Sequence, residues 1–356
     1  MRRCLLLVPV IALAVACDQD PAGPAPQYNI TSPPAAARDI TVMTQNLYVG
    51  ADVDLVIRAL ASPDPNDDFP ALLFAIETLQ KTDFVARAEA IAAEIARARP
   101  HAVGLQEVSR ININLPPLGI AVNLDFLDIL QDALARRNLH YTVAATVQNI
   151  VAEPVPGVRL VDNDALLVDE RVSVASAGGQ NFTFNVGTIA PGVNLIRGWV
   201  WARVSIGGQP YTIVSSHPEP NLAGNSLGGL RALQVAEIVG FIGADERVVV
   251  MGDLNDEPGS PMYGVLTGAG YTDTWAAMHP GADEPGLSCC HRADLSDPVA
   301  KFDQRIDYIF TRGFAGDDGQ VIGQIDQFGK VPADRVAGPA YPIWPSDHAG
   351  LLAALR

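Results

Sequence analysis

The sequence is poor in positive charge. Lys and Arg together number 24 against 40 Asp and Glu, which gives a formal net charge of −16. Because contacts to a phosphate backbone need a surface rich in Lys and Arg, this charge argues against unassisted binding of nucleic acid. No segment combines clustered Lys and Arg with interleaved aromatic residues either. A local basic groove, or a divalent cation that offsets the negative charge, is still compatible with these numbers.

Long apolar runs and internal repeats are missing as well. After the first 17 residues no stretch is long and apolar enough to cross a bilayer. The composition, 48% hydrophobic and 18% charged, is that of a packed globular protein rather than a disordered one. With 356 residues the chain has room for one large α/β domain or for two small ones.

The first 17 residues have the pattern of an export signal. Arg2 and Arg3 precede an apolar run over 5–15, which is too short for a membrane-spanning helix. The segment 14–17, Ala-Val-Ala-Cys, resembles a bacterial lipoprotein cleavage box, so that Cys17 would be the lipidated first residue of the mature chain. An ordinary secretory signal that happens to adjoin a Cys is the alternative, because Ala stands at the first position of the box, where Leu is usual. Both interpretations predict export. The first adds a lipid anchor in a membrane that faces the periplasm or the exterior.

The chain is therefore predicted to have three segments. The signal peptide covers 1–17 and is followed over 18–38 by a stretch that is rich in Pro and Ala and has no periodicity. Such a composition suits a semi-extended tether between lipid and domain. A single folded domain is expected over 39–356.

Only two Cys remain once Cys4 is removed with the signal and Cys17 is lipidated. Export permits disulfides, and the adjacent Cys289 and Cys290 could close a vicinal bridge that staples their loop, or stay as two thiols. We favour the bridge. The run from Cys289 to His291 is a weak zinc signal, because adjacent Cys residues lack the spacing that wraps a metal.

Strand and helix patterns mix without strict alternation. Helices are predicted over 83–99, 124–137 and 226–242. Strands are predicted over 40–45, 102–106, 141–146, 165–168, 194–206, 211–216, 248–250, 306–310 and 349–354. Residues 51–82 and 279–304 are predicted to be loop-rich insertions. This order favours two packed sheets flanked by helices over a doubly wound nucleotide-binding fold.

Polar residues recur where the predicted strands end. The clearest case is the run 251–258, MGDLNDEP, in which Asp253 and Asn255 follow a strand and lie two positions apart, on one side of the chain. One of them could handle a proton while the other stabilises developing negative charge. Alone, the same run would be a turn and an acidic loop. The other candidates, in chain order, are Asn46, Glu107, His217, Asp307 and the run Ser346-Asp347-His348.

Taken in order, these motifs resemble the endonuclease/exonuclease/phosphatase superfamily. That superfamily includes deoxyribonuclease I-like enzymes, abasic-site endonucleases, neutral sphingomyelinases and inositol-polyphosphate phosphatases. The resemblance runs from about residue 40 to the C-terminus, and it depends on short motifs that end in Ser-Asp-His. It implies an α/β (α+β) fold, namely a four-layer α/β/β/α sandwich of two packed sheets flanked by helices. It also implies hydrolysis of a phosphoester with a divalent metal, usually Mg²⁺, with Mn²⁺ or Ca²⁺ as alternatives.

The resemblance implies a metal site and a nucleophile site. Glu107 is then the principal metal ligand, with Asn46 beside it and Asp347 at or near the same ion, as suits a hard cation that prefers oxygen ligands. Asp253 orients or deprotonates the attacking water, and Asn255 steadies the nucleophile or the phosphorus.

The resemblance also implies proton donors and substrate contacts. His217 and His348 donate to phosphate oxygens or shuttle protons, and Asp307 holds the His348 ring in its orientation. Asn163 and Arg231 are candidates for substrate binding, with a polar turn and a structural salt bridge as their respective alternatives. Whether the general base is Asp253 or a His–Asp pair stays open.

The predicted function is that of an exported, metal-dependent phosphodiesterase that uses metal-assisted water. Its substrate could be a nucleic acid, a lipid head group or a small phosphodiester. A monomer is expected, and no protein partner is implied. The alternatives are a catalytically inactive surface binding protein on the same sandwich, against which the intact site residues argue, and a zinc protein built around the Cys289–His291 run.

Overall fold

The computed structural model describes residues 40–64, 66–221, 226–281, 283–314 and 323–356. The predicted signal peptide, the tether and the lipidation site Cys17 lie outside these described residues. Within the described ranges, no helix combines the length and the apolar composition that spanning a membrane requires.

Two sheets contain most of the strands. In chain order the strands are β1 (Ile40–Asn46), β2 (Ala102–Gln106), β3 (Arg110–Leu115), β4 (Ile120–Asp125), β5 (Tyr141–Ala152), β6 (Val158–Asp169), β7 (Ser173–Asn181), β8 (Gly187–Ala190), β9 (Val193–Leu195), β10 (Gly198–Ile206), β11 (Gln209–Ser216), β12 (Val248–Asp253), β13 (Thr272–Asp273), β14 (Asp307–Arg312), β15 (Gly323–Phe328), β16 (Val336–Ala337), β17 (Pro342–Ile343) and β18 (Gly350–Leu355). The larger sheet has the order β15-β18-β1-β2-β6-β5-β9-β8, with the β3–β4 hairpin attached to β6. The smaller sheet has the order β13-β14-β12-β11-β10-β7, and β16 and β17 form a separate pair.

Helices cover the outer face of each sheet, except α7 (Thr274–Met278), whose Trp275 packs in the core between the sheets. The helices are α1 (Val53–Leu60), α2 (Asp68–Lys81), α3 (Phe84–Ala98), α4 (Phe126–Ala135), α5 (Gly228–Ile242), α6 (Pro261–Gly268) and α7 (Thr274–Met278). Short 3₁₀ turns lie at Pro116–Leu118 and Pro332–Asp334. The prediction of loop-rich structure over 279–304 is confirmed, since the described residues of that stretch form no helix and no multi-residue strand.

The prediction for residues 51–82 is wrong, because this stretch forms the helices α1 and α2. The Asp52 side chain caps α1 by accepting a hydrogen bond from the Leu55 N–H over 2.9 Å. Pro70 lies in the first turn of α2, where the missing N–H has no helical acceptor to lose. Ile76 and Leu79, on one side of α2, then pack into the core.

The predicted four-layer α/β/β/α sandwich is confirmed. One core lies between the two sheets, and Val42 of β1 packs there against β12 and β18. The neighbouring residue Met43 points the other way, into a core that α3 and α4 close with the stacked rings of Phe84 and Phe126. A third core lies between the smaller sheet and the helices α5 and α6, where Val250 packs. The central strands are therefore buried on both faces.

Candidate active site

The strand directions place the predicted polar residues at one edge of the sandwich. β1 and β2 run parallel, so their carboxyl ends, Asn46 and the residue before Glu107, are in register. In the smaller sheet β11 and β12 also run parallel, and they end at Ser216, the residue before His217, and at Asp253. β14 and β18 run antiparallel to these neighbours, so they begin where the parallel strands end. For this reason Asp307, at the start of β14, faces the same edge.

Asn46 joins two carboxylates from different sheets. Its Nδ2 donates over 3.1 Å to Glu107 Oε1 and over 3.1 Å to Asp253 Oδ2. Its Oδ1 accepts the Tyr48 N–H over 2.8 Å, and the Val49 N–H donates over 2.7 Å to Glu107 Oε2. Asn46 therefore orients two acids through its nitrogen, and its oxygen, the predicted metal ligand, lies 2.8 Å from the Tyr48 nitrogen.

His348 is held between three carboxylates. Its Nδ1 lies 2.8 Å from Asp307 Oδ2, and its Nε2 lies 3.8 Å from Asp253 Oδ2 and 3.9 Å from Asp347 Oδ1. Burial lowers the pKa of His348, but Asp307, Asp347 and Asp253 together raise it well above its usual value. The ring is therefore a cation whose Nδ1–H donates to Asp307, while its Nε2–H faces the cleft.

His217 is neutral and its tautomer can be assigned. Burial lowers its pKa well below the usual value, and the nearby cations Arg197 and His348 lower it further. Arg197 Nη1 lies 3.2 Å from the Nδ1 of His217, and because a guanidinium only donates, Nδ1 accepts. The proton therefore lies on Nε2, which is 3.4 Å from Asp253 Oδ2. His217 can donate at the same point in the cleft as His348.

Asn255 supports the turn after β12. Its N–H donates over 3.0 Å to Asp253 Oδ1, and its Nδ2 donates over 3.0 Å to the Pro218 carbonyl. Its φ of 55° lies in the left-handed region, which Asn tolerates better than most residues. Asp253 and Asn255 are thereby fixed beside the loop that carries His217.

The carboxylates line one cleft of about 600 Å³ and fit a divalent cation. Burial raises the pKa of Asp253 and of Asp347, His348 lowers both, and Glu107 raises both. Three acids thus face one space, with repulsion among them, and oxygen donors of this kind are those that Mg²⁺, Mn²⁺ and Ca²⁺ prefer. Ligand atoms of Asp253, Asp307 and His348 also lie within 4.8 Å of one another. Because Asp307 already accepts from His348, Glu107 and Asp347 are the acids of this cleft that could hold a cation.

The two predicted substrate contacts are not brought into this cleft. Asn163 lies on β6, where its Nδ2 donates over 3.1 Å to the Val108 carbonyl, while its neighbour Asp162 lines the cleft. Arg231 is buried behind the residues that line the cleft. Its Nε lies 3.0 Å from Asp256 Oδ2, and its Nη1 donates to Asn221 Oδ1. The structure therefore favours the structural salt bridge that was the alternative for Arg231. Asn163 lies within the strand β6 and not in the polar turn that was its alternative.

The adjacent cysteines border the cleft. The structure joins Cys289 and Cys290 in a vicinal disulfide, and Cys290 Sγ lies 3.9 Å from His348 Nε2. His291 points elsewhere: its ring stacks on Trp344 at 4.1 Å, and its Nε2 lies 3.2 Å from the Gly329 carbonyl. The zinc alternative, which needs His291 beside the two sulfurs, is not supported by this placement.

Sequence reasoning missed the residues that hold the site loops. Arg87 of α3 is fully buried and donates to the carbonyls of Tyr48 and Pro345 over 3.0 and 3.2 Å. Ser346 Oγ donates over 2.6 Å to the Asn46 carbonyl and accepts the His348 N–H over 3.1 Å. Arg87 had a sequence signal, because it is a cation in the buried stripe of an amphipathic helix. Ser346 had none beyond its place in Ser-Asp-His.

Solved structures of low sequence identity share the fold. An endonuclease/exonuclease/phosphatase from Bacteroides vulgatus superposes with a TM-score of 0.52 at 17% identity, covering 89% of this chain and 98% of that chain. The human Nocturnin catalytic domain with bound sulfate anion gives 0.51 at 16%, covering 89% and 94%. Humanized TDP2 of D. rerio gives 0.51 at 14%, covering 89% and 99%. These likenesses show the fold alone.

Sequence comparison identifies the family. A search of curated proteins gave no significant match. The model of the Endonuclease/Exonuclease/phosphatase family matches residues 43–348, which include every polar residue of the cleft described above. That match covers well over half of the chain, and the folds agree. The chain therefore belongs to the Endonuclease/Exonuclease/phosphatase family and is a hydrolase of the nuclease, phosphodiesterase and phosphatase type.

Proposed function

We propose that this chain is an exported, lipid-anchored phosphodiesterase that uses a divalent cation, with Mg²⁺ as the first candidate. The observation that carries the proposal is the position of Asp253. Its carboxylate accepts from Asn46 and from the Asn255 N–H, and both His217 Nε2 and His348 Nε2 lie within 3.8 Å of its Oδ2. A base and two proton donors thus surround one point in an acidic cleft.

Glu107 and Asp347 are the residues that would hold the cation. Asn46 and the Val49 N–H fix both oxygens of Glu107, so this ligand is already oriented. When bound, the cation neutralises the phosphate oxygens and lowers the pKa of water. The positive charges that the chain itself supplies at this cleft are those of His348, Arg197 and Arg58, against several buried carboxylates.

Asp253 is the proposed general base. Burial raises the pKa of Asp253 above that of an exposed Asp. A carboxylate of higher pKa is a better acceptor for a proton of water. Asn255 and Asn46 keep its two oxygens in place. The charged His348 and the neutral His217 each present an Nε2–H toward the same space, where they can donate to phosphate oxygens or to the leaving group.

Hydrolysis of bis-p-nitrophenyl phosphate, with Mg²⁺ and with EDTA, tests the activity. We expect turnover that EDTA abolishes, and a loss of about 100- to 10,000-fold in the Asp253→Asn variant, as for removal of a general base. Asp128→Asn, an exposed acid in the first turn of α4, is the matched control and should leave the rate unchanged. Wild-type activity that persists in the Asp253→Asn variant would contradict the assignment.

Export and anchoring rest on the first 17 residues alone. Expression of the full chain in a bacterium with a clickable palmitate analogue should label the protein and place it in the membrane fraction. Cys17→Ser should abolish both the label and the membrane association. An unlabelled, soluble mature protein would instead support the ordinary secretory signal, and it would leave the proposed hydrolysis untouched.

A further inference from the structure

A second cavity, of about 90 Å³, lies beside the acidic cleft. The helices α1 and α2 form one wall, and β3 with the start of β6 forms the other. Its lining includes Ile76, Leu79, Ile111 and Val158, and all of its lining side chains but one are apolar. The exception is Arg159, whose Nε is paired with Glu153 Oε1 over 2.8 Å and is therefore already engaged.

The cavity borders the cleft, and the two spaces share part of their walls. Val49, Ala51, Val53, Ile57 and Leu160 line both spaces. Val49 lies at the boundary of the two spaces, because it lines the apolar cavity while its N–H donates over 2.7 Å to Glu107 Oε2. A molecule whose phosphate lies near Glu107 can therefore extend a substituent into the cavity.

The lining selects what such a substituent can be. A sugar or a nucleobase would bring polar groups into a space that offers them no hydrogen-bond partner, which is costly. A hydrocarbon meets no such cost and gains from leaving water. At about 10–15 Å³ for each water-sized sphere, the cavity holds roughly six to nine of them, which suits a short length of alkyl chain.

The same two helices expose large apolar side chains. Leu55 of α1 is 37% exposed, and Phe69 and Phe74 of α2 are 48% and 51% exposed. Phe69 lies three and seven residues before Leu72 and Ile76, so it continues the stripe of α2 that lines the cavity. The apolar surface thus extends from the cavity to the outside of the helix pair.

We propose that this cavity binds the alkyl chain of the phosphodiester substrate, so that the enzyme acts on lipid-like phosphodiesters. This inference rests on the proposed function and deepens it by naming the substrate class. The phosphate of the substrate lies in the acidic cleft, and its alkyl chain passes Val49 and Leu160 into the space between α1, α2 and β6. Hydrolysis adds water across the P–O bond, releasing an alcohol and an alkyl phosphate monoester.

The first test is a series of methyl, butyl and octyl p-nitrophenyl phosphodiesters, assayed below their micelle concentrations. Each methylene that leaves water contributes up to about fourfold, so burial of about two or three of them in this small cavity should raise kcat/KM roughly 10- to 100-fold from methyl to octyl. Ala75→Phe and Ala152→Phe, which add a ring at two different walls of the cavity, should reduce that rise to less than about threefold. Neither variant should change the rate on the methyl ester, which also shows that the variants fold.

Ala135→Phe is the matched control, because Ala135 is exposed on α4 and lines neither space. It should keep the wild-type preference for octyl. Equal kcat/KM for methyl and octyl esters in the wild type, or a preference that survives both filling variants, overturns the inference while the proposed hydrolysis stands.

Binding of methylphosphonate and octylphosphonate, which are not hydrolysed, separates the two proposals. In calorimetry the wild type should bind octylphosphonate at least about tenfold more tightly than methylphosphonate. The Ala75→Phe variant should bind the two phosphonates with about equal affinity. Equal affinity of the wild type for both phosphonates overturns the alkyl site. Octyl preference in binding, with no ester hydrolysed, supports the alkyl site and overturns the proposed function.

Discussion

Asp307 Oδ2 lies 2.8 Å from His348 Nδ1, although 41 residues separate the two in the chain. The contact forms because β14 begins at Asp307 and His348 stands two residues before β18, so both lie at the cleft edge of their sheets. The Asp307 N–H is itself held by Ser288 Oγ over 3.2 Å. The backbone of Asp307 is therefore held in place, and its carboxylate sets both the orientation and the charge of the imidazole.

The first prediction concerns this pair. Asp307→Asn removes the negative charge that keeps His348 protonated and replaces an acceptor by an amide that can turn. We expect kcat on bis-p-nitrophenyl phosphate to fall by about 100- to 10,000-fold, while KM changes little, because the donor acts on the transition state. Steady-state kinetics at saturating metal measures both values.

Asp303→Asn serves as the control for this substitution, since Asp303 is exposed and makes no contact with His348. Its kinetics should match the wild type. If Asp307→Asn raised KM and left kcat unchanged, Asp307 would act in substrate binding and not through His348.

The second prediction concerns the metal. Asn46→Ala removes the amide that donates to Glu107 and Asp253, without removing a carboxylate. Loss of such a supporting hydrogen bond weakens metal binding by about 10- to 100-fold. Calorimetric titration with Mn²⁺ should show this shift, and Glu107→Gln should weaken binding further. Unchanged Mn²⁺ affinity in both variants would place the metal elsewhere.

Much of the site edge could be predicted from sequence, because polar residues directly after apolar strands must lie at the ends of those strands. Asn46, Glu107 and Asp253 follow this rule, and the pairing of β1 with β2 and of β11 with β12 brings them together. The resemblance to the family then implied the four-layer arrangement, but not the order of the strands in each sheet. The large separation of these residues along the chain did not prevent the prediction, because the pairing of the strands brings them together.

The side of a strand that a residue faces was harder to predict. Asn163 and its neighbour Asp162 occupy adjacent positions of β6, so a shift of one residue exchanges the cleft for the opposite face. Asp162 lines the cleft and Asn163 does not. An isolated Asp-Asn-Asp run does not show which of its residues face the cleft, because the register of β6 depends on its pairing with β2 and β5.

The helices over 51–82 were missed for a different reason. Pro63, Pro65 and Pro70 all lie within this stretch, and Pro residues commonly interrupt a helix. Pro70 is harmless in the first turn of α2, and the helices are stabilised by packing of Leu72 and Ile76 on the core more than by local propensity. A local sequence pattern does not show such tertiary packing. The two helices that it missed, α1 and α2, form one wall of the apolar cavity.

The third prediction concerns Arg87. Its guanidinium donates to the carbonyls of Leu47, Tyr48, Thr82 and Pro345, so one side chain joins the loop after β1 to the loop before His348. Arg87→Met leaves several buried acceptors unsatisfied, at about 1–3 kcal/mol each. We expect a loss of at least about 3 kcal/mol in the free energy of unfolding, measured with urea.

Arg136→Met is the control for this experiment. Arg136 pairs with Glu89 at the surface, where its side chain is 54% exposed, and such pairs contribute about 0–1 kcal/mol. Comparable stability losses in the two variants would show that the loops do not depend on Arg87.

The last prediction concerns the pH dependence of stability through Asp162, a fully buried acid whose Oδ1 accepts from Ser109 over 2.8 Å. Burial, and then Glu107, raise the pKa of Asp162 to about 7. Between about pH 4 and 7 the folded chain keeps this proton and the unfolded chain loses it, so the contribution of Asp162 to stability falls as pH rises. Asp162→Asn keeps the acceptor for Ser109 but cannot ionise. Relative to wild type, the variant should therefore gain roughly 2–4 kcal/mol in unfolding free energy from pH 4 to pH 8, measured by urea unfolding in EDTA. The exposed Asp303→Asn should show no such gain, and a gain of zero for Asp162→Asn would mean that Asp162 titrates as an ordinary carboxyl.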